Sequence, residues 1–222
     1  MIRALELALK GPTKGVNPQV GAVILDSSGA VIGEGFHNGS GTPHAEVIAL
    51  EEALSGAQKL SPGCVAVVTL EPCNHTGKTG PCTQALIEAG VSKVVFASSD
   101  PGENSGGGAT TLREAGIEVE SGVLQERADQ QSRVWLTASK NQRPFVTLKW
   151  ASSLDGRAAA QDGSSKWISG EQSRADAHRR RSEVDAIVVG TGTALIDDPE
   201  LTARKTDGSL HESQPLRVVL GT

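Results

Sequence analysis

The segment from Pro43 to Cys82 restricts the fold of this chain more than any other. It opens with His44-Ala45-Glu46 and closes, after an apolar run, with Pro72-Cys73-Asn74-His75-Thr76-Gly77-Lys78-Thr79-Gly80-Pro81-Cys82. One imidazole and two thiolates can hold Zn²⁺ tetrahedrally and leave the fourth position for water. To do so, residues far apart along the chain must meet at one point. His44 and Glu46 fall at the start of an expected helix. Cys73 follows an expected buried strand, and Cys82 begins a second helix behind Pro81. Helix N-termini carry partial positive charge and favour thiolate over thiol. Two thiolates and a neutral imidazole balance the charge of the ion, so Glu46 is not needed as a ligand and can move protons.

Composition narrows the classes that remain. The 222 residues are 37% hydrophobic and 21% charged, ordinary for a soluble protein with one large or two small domains. A formal charge of −5 with three Phe, three Trp and no Tyr argues against a nucleic-acid partner, which calls for a basic surface or stacking platforms. No run of about 18 apolar residues occurs, so no membrane span is expected. The N-terminus carries an acid and no cleavable apolar segment. These features lead to the expectation of a cytoplasmic protein, where thiols more often hold metal than form disulfides. Cys64 sits within an apolar run and is assigned no role.

Along the chain, Ile2–Lys10 reads as a helix stopped by Gly11-Pro12. Gln19–Asp26 and Ala30–Phe36 read as a hairpin. The expected elements continue with helix His44–Ala53, buried strand Cys64–Leu70, helix Pro81–Ala89, strand Lys93–Ser98, helix Ala109–Ala115 and edge strand Ile117–Glu120. This alternation predicts an α/β sandwich. A polar helix over Gln125–Lys140 follows, and Asn141-Gln142-Arg143-Pro144 breaks the pattern. The expected domains are therefore 1–143 and 144–222. The second begins with a strand at Phe145–Trp150, then a helix near Gln172–Arg181 and strands Ala186–Val189 and Leu216–Leu220. Three strands are thin for a complete α/β domain, so this unit reads as truncated.

His-x-Glu followed by Pro-Cys and another cysteine is the signature of zinc deaminases of nucleobases, although its cysteines usually stand two residues apart. The longer gap, together with Asn17-Pro18-Gln19-Val20-Gly21, Gly33-Glu34-Gly35-Phe36-His37 and the run Thr69–Cys82, resembles the bifunctional riboflavin-biosynthesis deaminase/reductase family. The resemblance implies a cytidine-deaminase-like three-layer α/β/α sandwich followed by a partial dihydrofolate-reductase-like α/β domain. It implies hydrolytic deamination of a diaminopyrimidinone carrying a ribosylamino 5′-phosphate, with Zn²⁺ held by His44, Cys73 and Cys82 and Glu46 as the catalytic acid and base. Asn17, His37 and Asp100 are then substrate residues. His75, Lys78 and Thr79 add donors and a cation suited to a phosphorylated sugar.

Leu148–Arg157, Ser165–Ser169 and Val189–Arg204 resemble that family's reductase domain. By position, Ser152, Trp167, Thr193 and Asp197 would meet NADPH, and Ser165, Arg181, Leu201 and Arg204 would meet the reductase substrate. Gly190-Thr191-Gly192 lacks the third glycine of a dinucleotide fingerprint, and the family's later Gly-rich turn has no counterpart, so the reductase half reads as incomplete and NADPH is implied as a cofactor only where that domain is complete. A homo-oligomer is expected, since such sandwiches often pair exposed apolar helix faces. Two alternatives stand beside this reading. One is another zinc deaminase acting on cytidine, guanine or a tRNA adenosine; the other is a zinc-stabilised scaffold closed by a fourth ligand such as His75 or Cys64.

Overall fold

The strand β1 (Gly21–Leu25) is buried on both faces: Ala22 and Ile24 enter one apolar cluster and Val23 another. Such a strand belongs inside a sheet covered on each side, and the computed structural model has that arrangement. It describes residues 1–76, 80–102 and 105–221, in two units, Met1–Phe145 and Val146–Thr222. Lys78 and Thr79 lie outside the described residues.

In the first unit β1 is joined by β2 (Val31–Phe36), β3 (Val65–Leu70), β4 (Lys93–Ser98) and β5 (Glu118–Ser121), in the order β2-β1-β3-β4-β5. β1 runs antiparallel to both neighbours, whereas β3, β4 and β5 are parallel. On one face α1 (Ile2–Ala8) sets Ala4 and Leu7 against Val23 and Val67, and α5 (Gln125–Gln131) sets Ala128 in a cluster with Leu5 and Ala97. The other face is covered by α2 (Ala45–Leu54), α3 (Cys82–Ala89) and α4 (Gly108–Glu114). Their Ala49, Leu50, Leu86 and Leu112 pack with Ile24, Val68 and Val94. This is the expected three-layer sandwich. Parallel strands carry their following loops to one end of the sheet, and there the ends of β3 and β4 meet the starts of α3 and α4.

Glycines set the distance between β2 and α2. A Cβ at Gly35 would lie 2.2 Å from the Ala45 carbonyl oxygen, and one at Gly33 would lie 2.1 Å from that of Ala49. Only hydrogen fits at either position. The close approach seats the first turn of α2, and with it His44 and Glu46, over the sheet.

Two elements depart from expectation in local detail. The polar segment Gln125–Lys140 is two helices, α5 and α6 (Arg133–Asn141), separated at Ser132. Serine's hydroxyl competes for backbone groups and tolerates such a break. Phe145–Trp150 forms no strand: Val146, Leu148 and Trp150 are 77%, 77% and 70% exposed, and no described strand pairs with them. Alternation alone does not make a strand without a ladder partner.

The second unit contains α7 (Glu171–Ser182), β6 (Ala186–Gly190), α8 (Thr191–Asp197) and β7 (Leu216–Leu220), with β6 and β7 paired in parallel. Its sheet therefore has two strands rather than the three expected. Helix α8 was not anticipated, because Thr191 and Gly192 are poor helix formers.

Candidate active site

The chain ends of three elements bring the sequence-predicted ligands together. His44 is the N-cap of α2, Cys82 opens α3, and Cys73 lies three residues beyond the end of β3. His44 Nδ1 is 3.2 Å from Cys82 Sγ and 3.5 Å from Cys73 Sγ, and all three ligand atoms lie within 4.8 Å of one another. Tetrahedral zinc with ordinary Zn–N and Zn–S bonds places such atoms about 3.5 Å apart, so the three residues fit the ion. Among the described residues no fourth His, Cys, Asp or Glu joins this group. Cys64 is buried elsewhere at the start of β3, its carbonyl bonded to Ser92 N–H, and His75 stands outside the cluster. The closed four-ligand scaffold is thereby disfavoured.

The electrostatics suit a cation. The Cys73 thiol is lowered to about 4, first by its hydrogen bond with Cys82 and then by that with His44. The same hydrogen bond between the two sulfurs raises Cys82. A dication among the three atoms deprotonates both sulfurs. The hydrogen bond to Cys73 raises His44. Glu46 is 4% exposed, and burial pushes its carboxyl above the ordinary range. A carboxyl poised nearer neutrality is suited to both taking and giving a proton.

A cavity of about 330 Å³ opens beside these groups. Asn17, His37, His75 and Asp100 all line it, together with His44, Glu46 and Cys73. His37 is buried, with Nδ1 3.2 Å from the Pro43 carbonyl oxygen and Nε2 2.8 Å from Asn17 Nδ2. A carbonyl can only accept, so the proton is on Nδ1 and Nε2 accepts from the Asn17 amide. Desolvation lowers the His37 pKa, which supports this neutral form.

Two cavity residues escaped the sequence reading. Glu71 is buried, and its carboxylate accepts from Ala109 N–H at 2.9 Å and Asp100 N–H at 3.3 Å. It ties the loop after β4 to the Pro72-Cys73 segment. The available signal was an acid directly after the buried run of β3. Trp135 of α6 also lines the cavity. Its only signal was a lone large aromatic side chain in a polar helix.

The second-unit residues are less gathered. Arg181 Nη1 donates to Thr202 O at 3.3 Å, buried Leu201 adjoins that residue, and Arg204 pairs with Glu200. Ser152, Ser165, Trp167, Thr193 and Asp197 are exposed. Among the described residues no hydrogen bond or ion pair links any of these five to another. Trp167 instead stacks beneath Arg174, whose guanidinium lies 4.6 Å from its ring centroid.

Fold and site define the first unit as a zinc-binding domain of the cytidine-deaminase kind: residues 1–98 match the family described as the cytidine and deoxycytidylate deaminase zinc-binding region. Residues 144–222 match the RibD C-terminal domain. Over most of its length the chain is similar to RibD riboflavin biosynthesis proteins. It is 55% identical over 205 residues to riboflavin biosynthesis protein RibD of Mycobacterium tuberculosis, covering 92% of this chain and 59% of that protein. Against RibD of Escherichia coli it is 41% identical over 231 residues, covering 99% of this chain and 62% of that protein. Its fold matches the crystal structure of a diaminohydroxyphosphoribosylaminopyrimidine deaminase/5-amino-6-(5-phosphoribosylamino)uracil reductase from Thermotoga maritima with a TM-score of 0.88 at 44% identity, covering 100% of this chain and 62% of that one. The chain thus spans about three-fifths of the length of these relatives.

Proposed function

We propose that this chain deaminates 2,5-diamino-6-(5-phosphoribosylamino)pyrimidin-4(3H)-one by zinc-dependent hydrolysis. The observation that carries the reading is the convergence of His44, Cys73 and Cys82, with His44, Cys73 and buried Glu46 lining one cavity. His44, Cys73 and Cys82 would hold zinc, which when bound would lower the pKa of water to about 7. Glu46 takes a proton from the attacking water and gives it to the ring nitrogen, then carries the proton of the new C2 hydroxyl to the 2-amino group, so that the C–N bond breaks, ammonia leaves and a carbonyl remains. Asn17, fixed by His37, orients the pyrimidinone. Asp100 lines the site with them, while His75, Lys78 and Thr79 are assigned to the phosphorylated sugar, a cation and polar donors suiting an anion.

The test is ammonia release from that ribosylaminopyrimidine phosphate, with cytidine and guanine as comparison substrates. Turnover of the first alone is expected. Preference for cytidine or guanine would reassign the chain to another zinc deaminase. Glu46→Gln is expected to keep one zinc per chain and lose about 10²–10⁴ in kcat, the usual worth of a positioned acid–base group. Loss of zinc along with activity would instead make Glu46 structural.

The reading extends to residues 144–222 as a reductase region in a homo-oligomeric cytoplasmic enzyme, with the domain boundary at 143/144. Arg181, Leu201 and Arg204, close together around Thr202, support a substrate-binding role for that region. Ser152, Trp167, Thr193 and Asp197, the residues assigned to NADPH, are all exposed, and among the described residues no hydrogen bond or ion pair joins them. We therefore expect the chain alone to release ammonia without oxidising NADPH. NADPH consumption in the presence of the deaminated product would refute that separation.

A further inference from the structure

Helix α6 has no part in the chemistry above, and Leu136 is its one buried residue. One of its side chains nevertheless reaches the site. Trp135 packs its partly buried ring against the core beneath the sheet and lines the cavity that also holds Asn17, His37 and Glu46. Its Nε1–H donates to the Val16 carbonyl oxygen at 3.1 Å. Residues 11–20 form neither helix nor strand, so besides the backbone bond from His37 N–H to Val20 O the position of Asn17 draws on side-chain ties. They include Gln19 Nε2 to Gly11 O at 2.7 Å, Asn17 to His37 at 2.8 Å, and Trp135 to Val16. The last comes from the far end of the unit. A partly buried tryptophan commonly joins an apolar ring face to one satisfied N–H, and here both properties meet at the cavity.

We propose that Trp135 is a substrate-binding residue: its indole is the flat apolar wall for the heterocycle, and its N–H clamps the loop that presents Asn17. This rests on the deaminase reading for the identity of the heterocycle, but not for the clamp.

Two variants separate the parts. Trp135→Phe keeps an apolar ring and removes the donor; Trp135→Leu removes both. In the zinc-loaded protein, amide hydrogen exchange over residues 15–20 is expected to quicken several-fold in each variant. KM should rise about threefold in Trp135→Phe, the scale of one hydrogen bond. It should rise about tenfold in Trp135→Leu as the ring contact goes too, with kcat held within about twofold because binding rather than the chemical step is lost. Substrate added to Glu46→Gln protein should change tryptophan emission, and the double variant Glu46→Gln/Trp135→Phe should lose that change. Unaltered exchange with unaltered KM overturns the proposal. So does a fall in kcat and zinc content with KM unmoved, which is the mark of a merely structural side chain. A wild-type chain that releases no ammonia counts against the substrate named above, and the exchange measurement, which needs no substrate, still decides for or against the clamp.

Discussion

Glu71 illustrates how a buried carboxylate can serve a site without touching the reacting atoms. Each of its oxygens accepts one backbone N–H, from Asp100 and from Ala109. Glutamine at this position has one oxygen for the two donors and turns an N–H₂ group toward the other. An unsatisfied buried donor costs about 1–3 kcal/mol. Glu71→Gln is therefore expected to lose that much stability in urea denaturation and to raise KM through the displaced Asp100, with zinc retained. Unchanged stability would mean the loop is held by other bonds. The metal-site residues were legible in the sequence because their chemistry is written in residue type and spacing: an imidazole, an acid and two Pro-Cys pairs have few other common uses. Glu71 and Trp135 were not legible, because each acts by bonding the backbone of a segment distant along the chain. Nothing local to Trp135 announces that Val16 O lies 3.1 Å from its ring nitrogen.

At the scale of elements, the site depends on how closely α2 approaches β2. Gly35→Ala would place a methyl group 2.2 Å from the Ala45 carbonyl oxygen, a backbone atom in the first turn of α2. Overpacking of this kind costs about 1–3 kcal/mol, and the shift it forces falls on the turn that carries His44 and Glu46. We expect Gly35→Ala to lower the urea midpoint and to weaken zinc retention against a competing chelator. Gly80→Ala is the control, since a Cβ there meets nothing within 4 Å, and surface changes of this kind usually stay within about 0.5 kcal/mol. Equal behaviour of the two variants would show that the close approach does not govern the metal site. Strands and helices of the first unit were readable because continuous apolar runs such as Val65–Leu70 and glycine stops such as Gly90 coincide with their ends. The segment Phe145–Trp150 misled because Val146, Leu148 and Trp150 alternate as a strand does, yet pairing depends on a neighbouring strand and not on the segment itself.

At the scale of the whole molecule, the candidate metal ligands all belong to Met1–Phe145, and among the described residues none of the second unit enters that group. A ligand that binds only the folded state stabilises it by about 4 kcal/mol at a thousandfold excess over Kd. That energy acts on whatever unfolds together with α2, β3 and α3. If the units unfold separately, zinc protects the first alone. Hydrogen exchange with and without a strong chelator reads this directly. We expect amides of β3 (Val65–Leu70) to lose protection when zinc is removed, while those of β6 (Ala186–Gly190) keep theirs. The same independence predicts that residues 1–145 expressed alone bind one zinc and release ammonia at close to the rate of the full chain. A parallel loss of protection in β6 would reveal one cooperative body. In that case the division after Phe145 would be a division of packing but not of stability, and the isolated first unit would be expected to lose activity.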